Sequence, residues 1–212
     1  AAGENVNKGV LKEAVVIQMT WPGAPTIYYG DEAGVVGLTD PDNRRTYPRG
    51  RADQELLAFH RHIIRIHREN EALRTGSLKP IIGEFNVIAF GRFTDSSRTL
   101  TVINNNDHEV TRKLEVWALG VPKEATMTRV MLTDENGFTT EQVEYSVQGG
   151  RMEITLGKTS AAIFFQEDEK QINYADKKRE GEISSSSIYE HENPGASSAP
   201  KSIFEKLQSK LK

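Results

Sequence analysis

Apolar residues Val10, Leu11, Ala14, Val15 and Ile17 recur at helical spacing between Lys8 and Met19, and the run stops before Trp21-Pro22. The spacing predicts a helix lying on a sheet. The segment Ala24 to Tyr29 reads as a strand, because Pro22 and Pro25 exclude a helix while Thr26, Ile27, Tyr28 and Tyr29 are β-branched or aromatic. Gly30 releases the chain into a Gly- and Asp-rich loop that continues to Gly50. Asp53 then stands as a cap, and Leu56, Phe59, Ile63 and Ile66 give a second helix, Asp53 to Glu69, one apolar face.

After Gly76 the period changes to two. Strands are predicted over Asn86 to Phe93, Thr99 to Asn105, Val110 to Trp117, Thr126 to Thr133, Thr140 to Val147, Arg151 to Leu156 and Ala161 to Phe165. Turn formers separate them: Asp95-Ser96-Ser97, Asn106-Asp107-His108, Gly120-Val121-Pro122, Asp134-Glu135-Asn136-Gly137 and Gly149-Gly150. Short strands at this spacing imply an antiparallel sandwich. Trp117, Phe90, Phe93, Phe164 and Phe165 are read as its core rather than as a sugar-stacking platform, since most sit at alternating positions. From Glu167 the chain turns polar and is expected to be disordered, with Ile203, Leu207 and Leu211 outlining a short helix capped by Ser202.

Charge and composition narrow the function. A formal charge of -3 over 212 residues, with both signs interspersed, disfavours nucleic acid as the main partner. No apolar run approaches the roughly 20 residues a membrane helix needs. Cysteine is absent, which excludes disulfides, thiolate nucleophiles and cysteine-ligated zinc. His60, His62 and His67 have no carboxylate at a helical spacing that completes a metal site, so no metal and no other cofactor is expected. The start, Ala1-Ala2-Gly3-Glu4, reads as that of a fragment and leaves the location of the parent protein open.

The run Trp21-Pro22-Gly23-Ala24-Pro25-Thr26-Ile27-Tyr28-Tyr29-Gly30-Asp31-Glu32, followed by Asp40-Pro41-Asp42-Asn43-Arg44-Arg45, resembles the last strand and following loop of the catalytic barrel in the alpha-amylase family of glycoside hydrolases. The likeness is closest to the neopullulanase, cyclomaltodextrinase and amylopullulanase branch. It implies an α/β part, residues 1–75, carrying the closing strand and helices of a (β/α)8 TIM barrel. An antiparallel Greek-key β-sandwich over 76–166 and a tail over 167–212 would follow. A whole barrel takes about 250 residues. The chain is therefore expected to be the carboxyl-terminal portion of an enzyme.

The resemblance places the catalytic Asp, Glu and Asp on earlier barrel strands, so no catalytic residue is assigned in this chain. Asp31 and Glu32 do not replace them: retaining hydrolysis needs carboxyls about 5 to 5.5 Å apart across a bond, whereas neighbours on a strand diverge. They read as a hydrogen-bonded strand terminus. Asp40 and Arg44 match the branch's Asp-Pro-x-x-Arg pattern, which sets a carboxylate and a guanidinium against a glucose unit. The residue-level alternative is an Asp-Pro turn tied by its own salt bridge. Relatives of the branch it resembles usually carry Trp after the loop's Tyr-Pro, where this chain has Arg49 after Tyr47-Pro48.

The implied partners are an α-glucan or maltooligosaccharide and the missing barrel strands, which Ile27, Leu56 and Ile63 are expected to face. The implied reaction is retaining hydrolysis of α-1,4 bonds, with α-1,6 bonds as a further option, in starch, pullulan or cyclodextrins. The rival reading is a non-catalytic carbohydrate-binding or scaffold module, which a row of exposed aromatics on the sheet would favour.

Overall fold

A computed structural model describes residues 7–37 and 39–167. The expectations for the tail and its helix at 202–212 lie outside the described residues. Helix α1 spans Lys8–Thr20, and the Asn7 side chain caps it by accepting from the amides of Gly9 and Val10. After a long loop comes α2, Gln54–Glu69, capped by Asp53, whose carboxylate accepts from the Leu56 amide at 3.1 Å. A short α3, Glu71–Thr75, follows.

Nine strands complete the described chain: β1 Ser77–Glu84, β2 Val87–Phe93, β3 Ser97–Asn104, β4 Val110–Leu114, β5 Ala125–Thr133, β6 Phe138–Thr139, β7 Val143–Gln148, β8 Arg151–Leu156 and β9 Ser160–Glu167. Every ladder is antiparallel. The order is β1-β2-β3-β9-β5-β7-β8-β4, with β6 beside β5, so the predicted two-sheet sandwich is realised as one continuous hydrogen-bonded sheet. Its β7-β8-β4 end folds back over the other strands: Leu114, Val147, Met152 and Ile154 share a core with Leu100, Val102 and Phe164.

The central strands are buried on both faces, and side-chain alternation divides them between two cores. On β3, Leu100 and Val102 enter the core between the sheet layers, while Ile103 turns to the helices. On β9, Ala162 and Phe164 go one way and Ala161 and Ile163 the other. The second core joins Val15, Val16 and Met19 of α1 and Phe59 and Ile63 of α2 to Met131 of β5. Ile27 packs beside it.

Leu56 and Ile63, expected to face missing strands, are instead 2% and 0% exposed. The apolar face of α2 lies on α1 and the β-sheet rather than away from them. Arg92 on β2 stitches the layers. It donates from Nη1 to the Thr20 carbonyl at 3.3 Å and from Nη2 to the Gly76 carbonyl at 2.7 Å, satisfying both helix-terminal acceptors.

Further departures have local causes. The segment from Ala24 to Tyr28 is extended but forms no ladder, because no strand among the described residues lies beside it. Strand β1 contains Pro80 and Gly83, and it is tolerated because it lies at the sheet edge, pairing with β2 alone. The chain predicted as strand through Trp117 ends at Leu114 and turns into a 3-10 segment, Val116–Leu119, which buries Val116 and Leu119 and leaves Trp117 54% exposed. Trp117 is thus not core. Phe90 and Phe164 are buried, and Phe93 and Phe165 half-buried.

Candidate substrate-contact loop

The loop begins where the extended segment breaks at Gly30, whose φ of 93° is open to glycine and strained for other residues. A Cβ there would lie 2.7 Å from Val35 Cγ2. The Gly30 carbonyl accepts from the amides of Ala33 and Val35, each at 2.9 Å, and the Gly30 amide donates to Glu32 Oε2 at 2.9 Å. Glu32 therefore caps its own turn. Asp31 and Glu32 open a 3-10 turn, Asp31–Ala33, that rests on α2. Burial pushes the Asp31 carboxyl above the usual carboxylate range, His60 pulls it down, and Glu32 adds a smaller upward push. The Ala33 carbonyl then accepts from the Asp53 amide at 3.0 Å, anchoring the loop to the cap of α2.

Asp40 and Arg44 lie farther along this loop. A cis peptide joins Asp40 to Pro41, and a 3-10 turn, Asp42–Arg44, follows. The turn brings Arg44 back onto Asp40: Nη2 donates to Oδ2 at 2.7 Å, with both side chains well exposed. Arg45 grips Asp42 through Nε at 2.8 Å and Nη2 at 2.6 Å, and the Arg45 carbonyl accepts from the Tyr29 hydroxyl at 3.1 Å. Tyr29 and Arg45 thus anchor the loop to the extended segment. Tyr28 lies against the Tyr29 ring, centroids 5.0 Å apart. Arg49 is exposed, with its amide donating to the Tyr47 carbonyl at 2.9 Å.

The arrangement offers a carboxylate that accepts and a guanidinium that donates, side by side on an exposed turn. Such a pair can hydrogen-bond neighbouring hydroxyls of a sugar ring. It lies apart from an open cleft of about 360 Å3 lined by Ile27, Tyr29, Glu32, Leu57, His60, Arg61 and Ile64, between the extended segment and α2.

The three histidines of α2 do not converge. Nδ1 of His60 donates to the Leu56 carbonyl at 2.8 Å and Nδ1 of His67 to the Met19 carbonyl at 2.7 Å, while His62 lies beside Arg65. Burial, then the Arg65 charge, lowers the His62 pKa. Among the described residues no group of three His, Cys, Asp or Glu is placed to hold a metal ion, and no helix is long and apolar enough to cross a membrane.

Sequence reasoning passed over two buried charged residues, Lys12 and Glu13, which α1 turns inward. Nothing in the helical pattern marks them, since Val10 and Ala14 carry the apolar signal and are in fact exposed.

Residues 83–167 match the family described as Alpha amylase, C-terminal all-beta domain. An amylopullulanase from Thermoanaerobacter thermohydrosulfuricus is 36% identical over 165 residues, covering 74% of this chain and 11% of that relative. A cyclomaltodextrinase from a Bacillus species is 39% identical over 104 residues, or 47% of this chain and 19% of the relative. The chain thus spans a small part of each relative's length. An α-amylase from Geobacillus thermoleovorans, solved with acarbose, shares the fold with a TM-score of 0.66 at 22% identity, over 78% of this chain and 34% of that one. These likenesses make the chain a homologue of alpha-amylase family glycoside hydrolases. Its β-region is their C-terminal all-beta domain.

Proposed function

We propose that the chain is the carboxyl-terminal part of a retaining α-glucan hydrolase acting on α-1,4 bonds and, as a further option, α-1,6 bonds. In this reading residues 1–75 contribute the closing strand and helices of a (β/α)8 barrel, and 76–166 form the domain that buttresses it. The observation that carries the proposal is the outward face of the helical layer. Val10, Ala14 and Trp21 on and after α1, and Tyr28 and Tyr29 on the extended segment, are exposed, although the opposite side of α1 is already packed on the sheet. A helix apolar on nearly all sides is made to be covered on both. Further barrel strands and helices would cover it and supply the ladder that Ala24 to Tyr28 lack.

Asp40 and Arg44 would then contact a glucose unit of an α-glucan or maltooligosaccharide at the carboxyl end of the last strand, where barrel enzymes gather ligand contacts. The catalytic Asp, Glu and Asp would come from the earlier strands. The module reading gains little support from Phe90, Phe93, Phe164 and Phe165, which are buried or half-buried and form no exposed row. In an enzyme joining these residues to the upstream barrel, Arg44→Ala is expected to lower kcat/KM on maltotriose by about 10- to 100-fold, the loss of a charged hydrogen bond. Steady-state kinetics with unchanged kcat/KM would remove Arg44 from the substrate site.

A further inference from the structure

Helix α1 buries two adjacent charged residues, and the structure treats them differently. Lys12 Nζ donates to Glu55 Oε1 at 2.8 Å and to the Gly137 carbonyl at 3.0 Å. Glu13 is 4% exposed, and its Oε1 has no hydrogen-bond partner. Gly9, Glu13, Val16 and Thr20 form one buried stripe on a helix that packs against α2, β3, β9 and β5. Thr101 Oγ1 on β3 is likewise buried without a partner.

The charged groups around α1 are engaged elsewhere. On α2, Lys12 holds Glu55, and His67 donates to the Met19 carbonyl. On β2, Arg92 is spent on the carbonyls of Thr20 and Gly76. Glu135, in the turn after β5 and close to Gly9, is held by Lys158 at 2.8 Å. Strand β5 contributes Arg129, whose Nε is buried without a partner but which lies across the ladder from Phe164, on the side of the other core; Ile103, Ala161 and Ile163 of β3 and β9, which line the helix layer, do not titrate. None of these charges moves the Glu13 proton. Burial alone acts on it, and raises the carboxyl from its ordinary 4.5 to about 7.

We propose that Glu13 is a proton-operated latch: neutral, it seats α1 on the β-sheet, and ionised, it loosens that seat together with the loop α1 leads into, which carries Asp40 and Arg44. A carboxylate with a buried oxygen that no donor reaches must either keep its proton or move to water. In the 212-residue chain helix α1 is the element that moves, because its outer face is exposed there and its end is tied to the extended segment by the Gln18 side chain, which donates to the Thr26 carbonyl. The sign follows from linkage. The folded state binds this proton more tightly than the unfolded one, so the contribution of α1 docking is full below pH 4.5. It declines as pH rises to about 7 and levels above that.

The test is amide hydrogen exchange of α1 in the 212-residue chain, corrected for intrinsic rates, from pH 4.5 to about 8, in wild type, Glu13→Gln and Glu13→Leu. In wild type the α1 opening constant is expected to rise by up to about tenfold per pH unit until it levels near 7, and to exceed that of β9 at every pH, since α1 opens without the sheet. Both variants should lose the slope, and Glu13→Leu should protect α1 throughout. A slope that persists in the variants overturns the latch. Carbon-13 titration of the wild-type Glu13 carboxyl decides the matter independently of the variants' folding: a midpoint near 7 supports the latch, and one near 4.5 overturns it.

Discussion

Lys12 and the Asp40–Arg44 pair show how differently ion pairs act in one chain. The Lys12 side chain is wholly buried, so its ammonium depends on Glu55 and on the Gly137 carbonyl. Glu55→Ala leaves that charge with the carbonyl alone, and is expected to destabilise the chain by about 3 kcal/mol, the low end of the range for a broken buried pair because Glu55 is partly exposed and water can enter. Urea unfolding at neutral pH measures it. Asp40–Arg44 and Asp42–Arg45 are solvent-exposed, and such pairs contribute about 0 to 1 kcal/mol. Asp40→Ala should therefore leave the unfolding midpoint nearly unchanged, which frees that residue for a role in contact rather than stability. The Asp40–Arg44 salt bridge, the residue-level alternative to sugar contact, was legible because a local turn brings the two ends of the Asp-Pro-x-x-Arg spacing together. Lys12 and Glu13 were not legible, because charged residues on a helix are ordinarily outside, and their burial depends on which side of α1 meets the sheet.

That rotation of α1 is the main feature of the elements that sequence alone left open. Apolar residues surround the helix, so Val10, Leu11, Ala14, Val15 and Ile17 allow more than one packing face. The sheet takes Val15, Val16 and Met19 and leaves Val10 and Ala14 outside. Helix α2 was easier, since its polar side is charged and its apolar side narrow, and Phe59 and Ile63 are buried as their spacing requires. The boundaries of β8 followed from alternation, whereas β2, buried at most of its positions, begins one residue after the expected Asn86. By contrast β1 was hidden by Pro80 and Gly83, which only an edge position tolerates, and alternation continued through Trp117 although the chain turns at Glu115 to bury Val116 and Leu119. Phe59 joins the elements, packing edge-on against Phe138 at 5.5 Å within the core shared with Ile103 and Ile163. Phe59→Ala should cost about 3 to 5 kcal/mol and raise hydrogen exchange in both helices and in β9, since the cavity opens where they meet. Exchange confined to α2 would mean that Phe59 does not tie the helices to the sheet.

Across the molecule, the described residues pack as one unit in which a helical layer covers one face of the sheet and the sheet's far end covers the other. This explains why the β-region was readable as a class while its closure was not: turn formers and alternation define strands, but the order that sets β9 between β3 and β5 is fixed by contacts far apart in sequence. In the proposed reading, the apolar outer face, from Val10 through Trp21 to Tyr28 and Tyr29, is where the remainder of a barrel would dock, and the catalytic carboxylates would arrive with it. The measurement that tests this most directly is reducing-sugar release from maltotriose and pullulan by the purified 212-residue chain, beside an intact family member as control. The account predicts no release above blank. Release that copurifies with the chain, and is lost in an Asp40→Ala, Arg44→Ala double variant, would contradict it.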